Sequence, residues 1–485
     1  MSFFRPPSSP RFSRAASPSR FLRAASPSRF LRAASPSRFL RAASFFPASS
    51  PRPDASFLAR RRDRLVYLRS HPLLFALLAA TRNQPSVRLG GTVIVSSPEA
   101  FTDGLTRVPL DRTAEGTTGG AAGRLTGGDL LFDQDGDEHR GRRREVADSL
   151  GAAGVERLRP VWREVLDRRL APLAAGRPID LVDVIAELAG ATTAALLHLD
   201  IDPHELATAA RTAAATAARE HVPGLVLPRH RRAARSAADR LNALVTQPRA
   251  DPGPSGSPHH PARARPSTAP HHSTGSDISV ISSQSTCPHA SAASNASAGP
   301  HPSTTAYGDS GLAAMMAVAA INTTVAGVPR AAAWCADANL WEYVETAPDA
   351  LTAELLRVTA PTPLLPRVAA AGGTVDGRPV RAGDRLILIA RHAVGAHHRD
   401  PDPDDPAPPR VSQLVFGAGS HACPGARLAR AQLTDVLAAL APYRPTVRHA
   451  VADRNAALPG WSSLILTPAR PERPAPDESP QPPPP

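Results

Sequence analysis

One cysteine, Cys423, stands between two glycines at the mouth of an amphipathic helix, and few folds have a use for that arrangement. The stretch Phe416-Gly417-Ala418-Gly419-Ser420-His421-Ala422-Cys423-Pro424-Gly425 runs straight into Ala426-Arg427-Leu428-Ala429-Arg430-Ala431-Gln432-Leu433, whose apolar residues recur at helical spacing. Gly419 and Gly425 let the backbone come close to something flat and large. The first-turn amides of the helix point at a thiolate sulfur and hold its charge. A single cysteine in a soluble protein is more often a small buried hydrophobe. Phe416, the two glycines and His421, two residues before the cysteine, favour a seat for a metal-bound thiolate instead.

Three other stretches pose the same kind of question. From Gly311 to Val328 the chain is apolar on every side except at Asn322-Thr323-Thr324. An all-round apolar helix is buried, so polar residues inside it carry a cost that a function must justify. A bilayer span is excluded on this reading, because Ala and Gly dominate the run and hydrocarbon would leave the Asn and Thr without partners. Downstream, Glu354-Leu355-Leu356-Arg357 sets an acid and a base three apart on a predicted helix. Upstream, between Asp137 and Arg144, His139 and Arg143 are four apart on one helical face, so both can donate to one carboxylate pair.

In this order the stretches resemble the cytochromes P450, and the resemblance covers about 65 to 468 without 250 to 306. It implies a mainly α fold with small β-sheets, built around haem b (iron protoporphyrin IX) with Cys423 as the axial iron ligand. It also implies that His139, Arg143, Arg367 and His421 bind the propionates, and that Phe416, Gly419 and Gly425 shape the cysteine loop. Thr323 would hydrogen-bond bound dioxygen. Glu354 and Arg357, with Arg410 as a third member, would hold the proximal side. Asn322 departs from the family, which usually has Asp or Glu there: a carboxylate relays protons, whereas an amide orients water. A second register sets Ala326-Gly327 as the small pair before the acid and alcohol, leaving Pro329-Arg330 in their place, similar to peroxide-driven enzymes of the same fold. The first register keeps Thr323 and needs less shortening before Glu354.

The implied function is a monooxygenase that inserts oxygen from O2 into a small hydrophobic substrate in secondary metabolism, with electrons from ferredoxin and ferredoxin reductase. Arg140, Arg142 and Arg144 would offer an acidic redox partner a basic face. Peroxide-driven oxidation, or haem binding without turnover, are the alternatives. A cytoplasmic monomer with no membrane span and no nucleic-acid partner is expected. The net charge of +13 does not argue otherwise: all 56 basic residues are arginine, scattered along the chain as GC-rich codon usage would scatter them.

With 53 prolines and 32 glycines in 485 residues, part of the chain is expected to lie outside the core. Residues 1–55 carry a nine-residue Arg/Ser/Pro repeat that cannot propagate a helix. Residues 56–249 and 307–470 form the two parts of the folded domain, separated by a Ser/Pro/His-rich insert at 250–306 and followed by a proline-rich tail at 471–485. Helices broken by proline between Leu173 and Gln247 are expected to supply a lid. The insert's His259-His260, His271-His272 and Cys287-Pro288-His289 fit no metal-site spacing, and the odd count of three cysteines argues against disulfides.

Overall fold

Helices dominate the fold because its Ala- and Leu-rich stretches keep helical periodicity until proline or glycine stops them. The computed structural model describes residues 55–117, 119–120, 123, 131, 136–219, 228–247 and 310–469. The repeat, the histidine-bearing insert, Pro223 and the proline-rich tail lie outside the described residues.

The chain opens with α1 (Ala55–Ser70) and α2 (Pro72–Thr81). A tight antiparallel hairpin follows, β1 (Ser86–Leu89) and β2 (Thr92–Val95), turning at Gly90, where φ is +60°. Ser97 caps α3 (Pro98–Thr106) by accepting from the Ala100 amide at 3.1 Å, and β3 (Leu110–Asp111) follows. Next come α4 (Gly136–Ser149), α5 (Ala152–Ala174), β4 (Ile179–Asp180), α6 (Leu181–Leu197), α7 (Pro203–Arg219) and α8 (Pro228–Val245). After the insert the long α9 (Ser310–Asp337) leads through α10 (Tyr343–Thr346) to α11 (Pro348–Thr359).

Strands β5 (Leu365–Ala369), β6 (Gly373–Val375), β7 (Arg378–Val380) and β8 (Arg385–Leu388) then build the sheet region. Short helices α12 (Ala390–Ala393) and α13 (Pro409–Ser412) precede the cysteine loop. The helix behind that loop is α14 (Ala426–Leu440), and the hairpin β9 (Thr446–Ala452) and β10 (Trp461–Thr467) ends the fold. The larger sheet runs β1-β2-β8-β5-β3, with only β2 and β8 parallel. The smaller one runs β4-β10-β9.

Helix α9 is the axis of the molecule. It packs against α1, α6, α7, α8, α11 and α14 through Ala317, Ile321, Val325, Val328 and Ala332, all buried. Its alanines bring neighbouring helices close, and each large apolar side chain buried among them contributes roughly 1.5–3 kcal/mol. By length and composition Gly311–Asp337 could cross a membrane, but 67% of its apolar window is buried inside the fold, as a core helix requires. A buried ion pair anchors its later half to α1: Arg330, 1% exposed, donates to Asp63 at 2.6 Å and to the Tyr67 hydroxyl at 2.6 Å. Arg391 meets the other Asp63 oxygen at 3.1 Å. Arg330 therefore does not line the central cavity, where the second register would have placed it.

Candidate active site

A cavity of about 1260 Å³ lies between α9 and the cysteine loop. Cys423, Phe416, His421 and Gly425 line one side, and Ala319, Ala320, Asn322, Thr323, Thr324 and Gly327 line another. Typical small-ligand pockets span about 300–1,000 Å³, so this one has room for a large flat group and a second molecule together.

Cys423 is reached from the cavity yet surrounded by protein. Its amide donates to the Phe416 carbonyl at 2.7 Å, which closes the loop beneath it. Burial pushes the thiol's pKa up, against the pull of the Gly425 amide, Arg143 and Arg430. The loop turns through Gly417 (φ +77°) and Gly419 (φ +74°), conformations that L side chains resist. Gly425 is different: a Cβ there would meet the Cys423 sulfur at 3.8 Å, an ordinary contact, so close approach within the chain itself does not demand glycine at that position. Arg430 lies over the Phe416 ring with 4.6 Å to the centroid, joining α14 to the loop.

Two polar residues of α9 meet the cost of burial by hydrogen bonds to nearby carbonyls. Thr323 donates to the Ala319 carbonyl at 2.7 Å, and Asn322 donates to Val318 at 2.8 Å and to Ala210 of α7 at 3.3 Å. Bonds of this kind, back to the carbonyl four residues earlier, satisfy a hydroxyl inside an apolar helix and tend to bend it.

The four expected anion-binding residues are not all on one wall. Arg367 and His421 line the cavity; His139 and Arg143 do not. His139, 2% exposed, stacks behind His421 with ring centroids 3.9 Å apart. Arg143 turns to the Ala422 carbonyl beside the thiol. Arg367 is held in β5 and donates to the Pro366 carbonyl at 2.8 Å. Burial, with a smaller contribution from Arg112, lowers its pKa to about 10. Arg112 also lines the cavity and went unnoticed in the sequence, one arginine among many in a segment without periodicity. Two arginines set against each other in an apolar wall form a seat for a dianion.

Glu354 and Arg357 are wholly buried and paired at 2.6 Å. Arg410, expected as their third member, is exposed on α13 and makes no bond to them. The backbone between 394 and 407 takes that place. Arg357 donates to the Val394, Arg399 and Asp400 carbonyls, and Glu354 accepts from the Asp402 and Ala407 amides. The peptide groups of residues 394–407 thus supply the partners expected from a third guanidinium.

The donor set fits a haem. A thiol opens into the cavity that a small-residue stretch of helix also lines, Arg367 and Arg112 can meet two carboxylates, and the remaining walls are largely apolar. Among the described residues no group of three or more His, Cys, Asp and Glu could hold a metal ion, so a metal here has to bring most of its own ligands.

No protein-family profile matches the chain. Two curated relatives match over short stretches. The vitamin D3 dihydroxylase of Streptomyces griseolus is 40% identical over 87 residues, 18% of this chain and 21% of that protein. A cytochrome P450 140 of Mycobacterium tuberculosis is 34% identical over 145 residues, 27% of this chain and 32% of that protein. The matches thus span between a fifth and a third of the relatives' length. Solved structures match nearly throughout. P450 EryK, as a mutant in complex with erythromycin B, superposes with a TM-score of 0.56 at 20% identity, covering 83% of this chain and 98% of that one. CYP175A1 from Thermus thermophillus gives 0.59 at 18% identity, covering 83% and 96%. P450BioI, in complex with an acyl carrier protein ligated to hexadec-9Z-enoic acid, gives 0.57 at 15%, covering 81% and 97%. With the cysteine loop, the buried Glu354–Arg357 pair and the long central helix in the same chain order, the fold is that of a bacterial cytochrome P450.

Proposed function

We propose that the protein is a haem-thiolate monooxygenase that holds haem b in the central cavity through Cys423 and inserts an oxygen atom from O2 into a hydrophobic small molecule. The carrying observation is the opposition of Cys423 to Asn322-Thr323-Thr324 across one large cavity. Bound there, the haem supplies the redox chemistry of dioxygen, which no side chain can provide.

The chain's own residues have separable tasks. Arg143, Arg430 and the Gly425 amide favour the charged sulfur that iron ligation requires. Arg367 and Arg112 neutralise two carboxylates in the buried wall, and His421, backed by His139, adds a further donor. Thr323 commits its hydroxyl hydrogen to Ala319, so its oxygen is oriented to accept a hydrogen bond at the cavity face. Asn322 donates both of these bonds to carbonyls and cannot itself supply a proton. Leu74, Phe75, Leu241, Met315 and Leu364 line the rest of the cavity and exclude water around a lipophilic guest.

A bulky apolar substrate is the best fit, in line with the erythromycin B and the fatty acyl chain bound by the neighbours in their solved complexes. Ferredoxin and ferredoxin reductase are the proposed electron source, docking at the arginines of α4. A cytoplasmic, secondary-metabolic enzyme is the corresponding setting. The peroxide-driven reading loses its arginine, since Arg330 is bonded to Asp63 away from the cavity, and retains only Asn322 in its favour.

The test is the carbon monoxide difference spectrum of the reduced full chain, beside Cys423→Ser. A strongly red-shifted Soret band in the parent that vanishes in the variant is expected. An unshifted band, or no haem uptake, would refute thiolate ligation and leave haem binding without turnover, or no haem function at all.

A further inference from the structure

The sequence raises a question that the central cavity leaves open: with an amide at Asn322, where do the protons for oxygen reduction come from? A second, much smaller cavity lies directly behind that residue. It has a volume of about 20 Å³ and is lined by Asn322, Val325, Ala326, Leu458 and Gly460 together with one charged pair, Arg211 and Asp453. Asn322 and Leu458 also line the central cavity, so they form the partition between the two spaces. A cavity needs roughly 10–15 Å³ to hold one water, together with polar partners for it. This one has the volume and four side chains with polar atoms, those of Asn322, Arg211, Asp453 and Trp461.

Arg211 of α7 and Asp453, just beyond β9, face each other at 3.5 Å with 32% and 19% of their side chains exposed, so the pair reaches solvent on its far side. One Asp453 oxygen accepts from the Asn455 and Ala456 amides at 2.8 and 3.0 Å and fixes the turn; the other faces Arg211. The weaker bond of Asn322, 3.3 Å to the Ala210 carbonyl, is the one that ties it to α7. The amide swings and joins the two spaces when it releases this bond together with the 2.8 Å bond to Val318 on its own helix.

We propose that Asp453 is the proton-relay residue of this enzyme, acting through a water in the small cavity, with Asn322 as the gate. The acid usually found on the central helix is thus displaced to the final hairpin. The inference rests on the monooxygenase reading. In each transfer one O–H bond breaks as another forms. Asp453 takes a proton from solvent and gives it to the water, the water passes a different proton to the Thr323 oxygen, and the Thr323 hydroxyl, released from Ala319, gives its own proton to the oxygen being reduced in the central cavity. No charge stays inside and no electrons move. Arg211 keeps the carboxylate turned inward and holds its charge between transfers. Its role is positioning.

The experiment compares parent, Asp453→Asn, Arg211→Gln and the double variant Asn322→Asp/Asp453→Asn, each first shown to give the red-shifted carbon monoxide band. Loss of that band in the parent itself would refute the monooxygenase reading; the remaining comparisons concern only the relay. Asparagine keeps the oxygen that fixes the turn and removes only the acid. Product formed per reductant consumed is expected to fall about tenfold in Asp453→Asn, less than the hundredfold of a directly positioned acid because bulk water substitutes in part. Arg211→Gln should fall by a smaller factor. The double variant should return to the parent's value, because its acid is again on the helix. Independently of turnover, a crystal structure of the parent should show one ordered water between Asn322 and Asp453. Unchanged coupling in Asp453→Asn, failure of Asn322→Asp to rescue it, or an apolar, dry cavity would each overturn the proposal.

Discussion

Arg367 is where this fold spends stability on a site. Its guanidinium is buried in β5 with Arg112 nearby, and its pKa falls to about 10 chiefly through desolvation. For a base held below its ordinary value, folding is penalised at every pH below the folded value, and the penalty fades only as pH rises from about 10 toward 12.5. Between pH 6 and 9 it is therefore constant, on the order of 3 kcal/mol as an upper figure. Arg367→Met is expected to raise the melting temperature of the haem-free protein and to speed haem loss to an apo-globin acceptor by about tenfold or more. A variant that melts lower without haem and retains haem as well as the parent would show that Arg367 is structural. Arg367, His421 and Cys423 were singled out because their stretches resemble those of a known family, and all three line the cavity. Arg112 was not legible, since only the three-dimensional approach of β3 to β5 brings its neighbourhood to the site. Arg410 was misread for the converse reason: its place in the order was right, but backbone groups had already satisfied the pair it was meant to join.

At the scale of elements, the long α9 with its polar interruption and the helix behind the cysteine loop were legible. What was not legible is how α12 is held. There His392 packs beneath β2, 3.3 Å from the Ser96 hydroxyl, with the His397 ring 4.9 Å away and Arg391 and Arg82 close enough to oppose further charge. Burial first, then His397 and the two arginines, lower the pKa of His392 to about 3. His397 falls to about 4, through burial and then His398, Arg391 and Arg82. Both histidines are neutral when folded and titrate near 6.5 when unfolded, so below that pH the unfolded chain binds more protons. Stability is intact above pH 6.5 and is lost as pH falls through the window toward the folded values. For His392 the loss between pH 6.5 and about pH 5 is on the order of 1–2 kcal/mol. Melting temperature measured from pH 7.5 down to pH 5 should fall in the parent and fall less steeply in His392→Asn, which keeps a partner for Ser96. Parallel curves would mean that other groups govern the acid limb.

At the scale of the whole molecule, a net charge of +13 can act in two ways, as a diffuse attraction for any acidic partner or through one docking face. The candidate face is on α4, where Arg140 and Arg144 are exposed next to the partly exposed Arg142, on the helix that carries His139 and Arg143 to the cysteine loop. Arg140 is partly neutralised by Asp137, so Arg144 carries more of the local field. Both readings predict that reduction by an acidic ferredoxin slows as salt rises, because charges further apart than about 8 Å are screened at physiological ionic strength. Salt dependence alone therefore decides nothing. Charge reversal at two positions does: Arg140→Glu/Arg144→Glu changes the total by four units, and the same change can be made at Arg231 and Arg235 on α8, outside that helix. If α4 is the docking face, the first variant should lower the low-salt reduction rate about tenfold and flatten its salt dependence, while the second lowers it only slightly. Substrate-induced spectral shifts should be the same in both, since neither pair lines the cavity. Equal effects from the two variants would assign the attraction to total charge, and α4 would then be a helix whose arginines serve solubility while His139 and Arg143 alone serve the site.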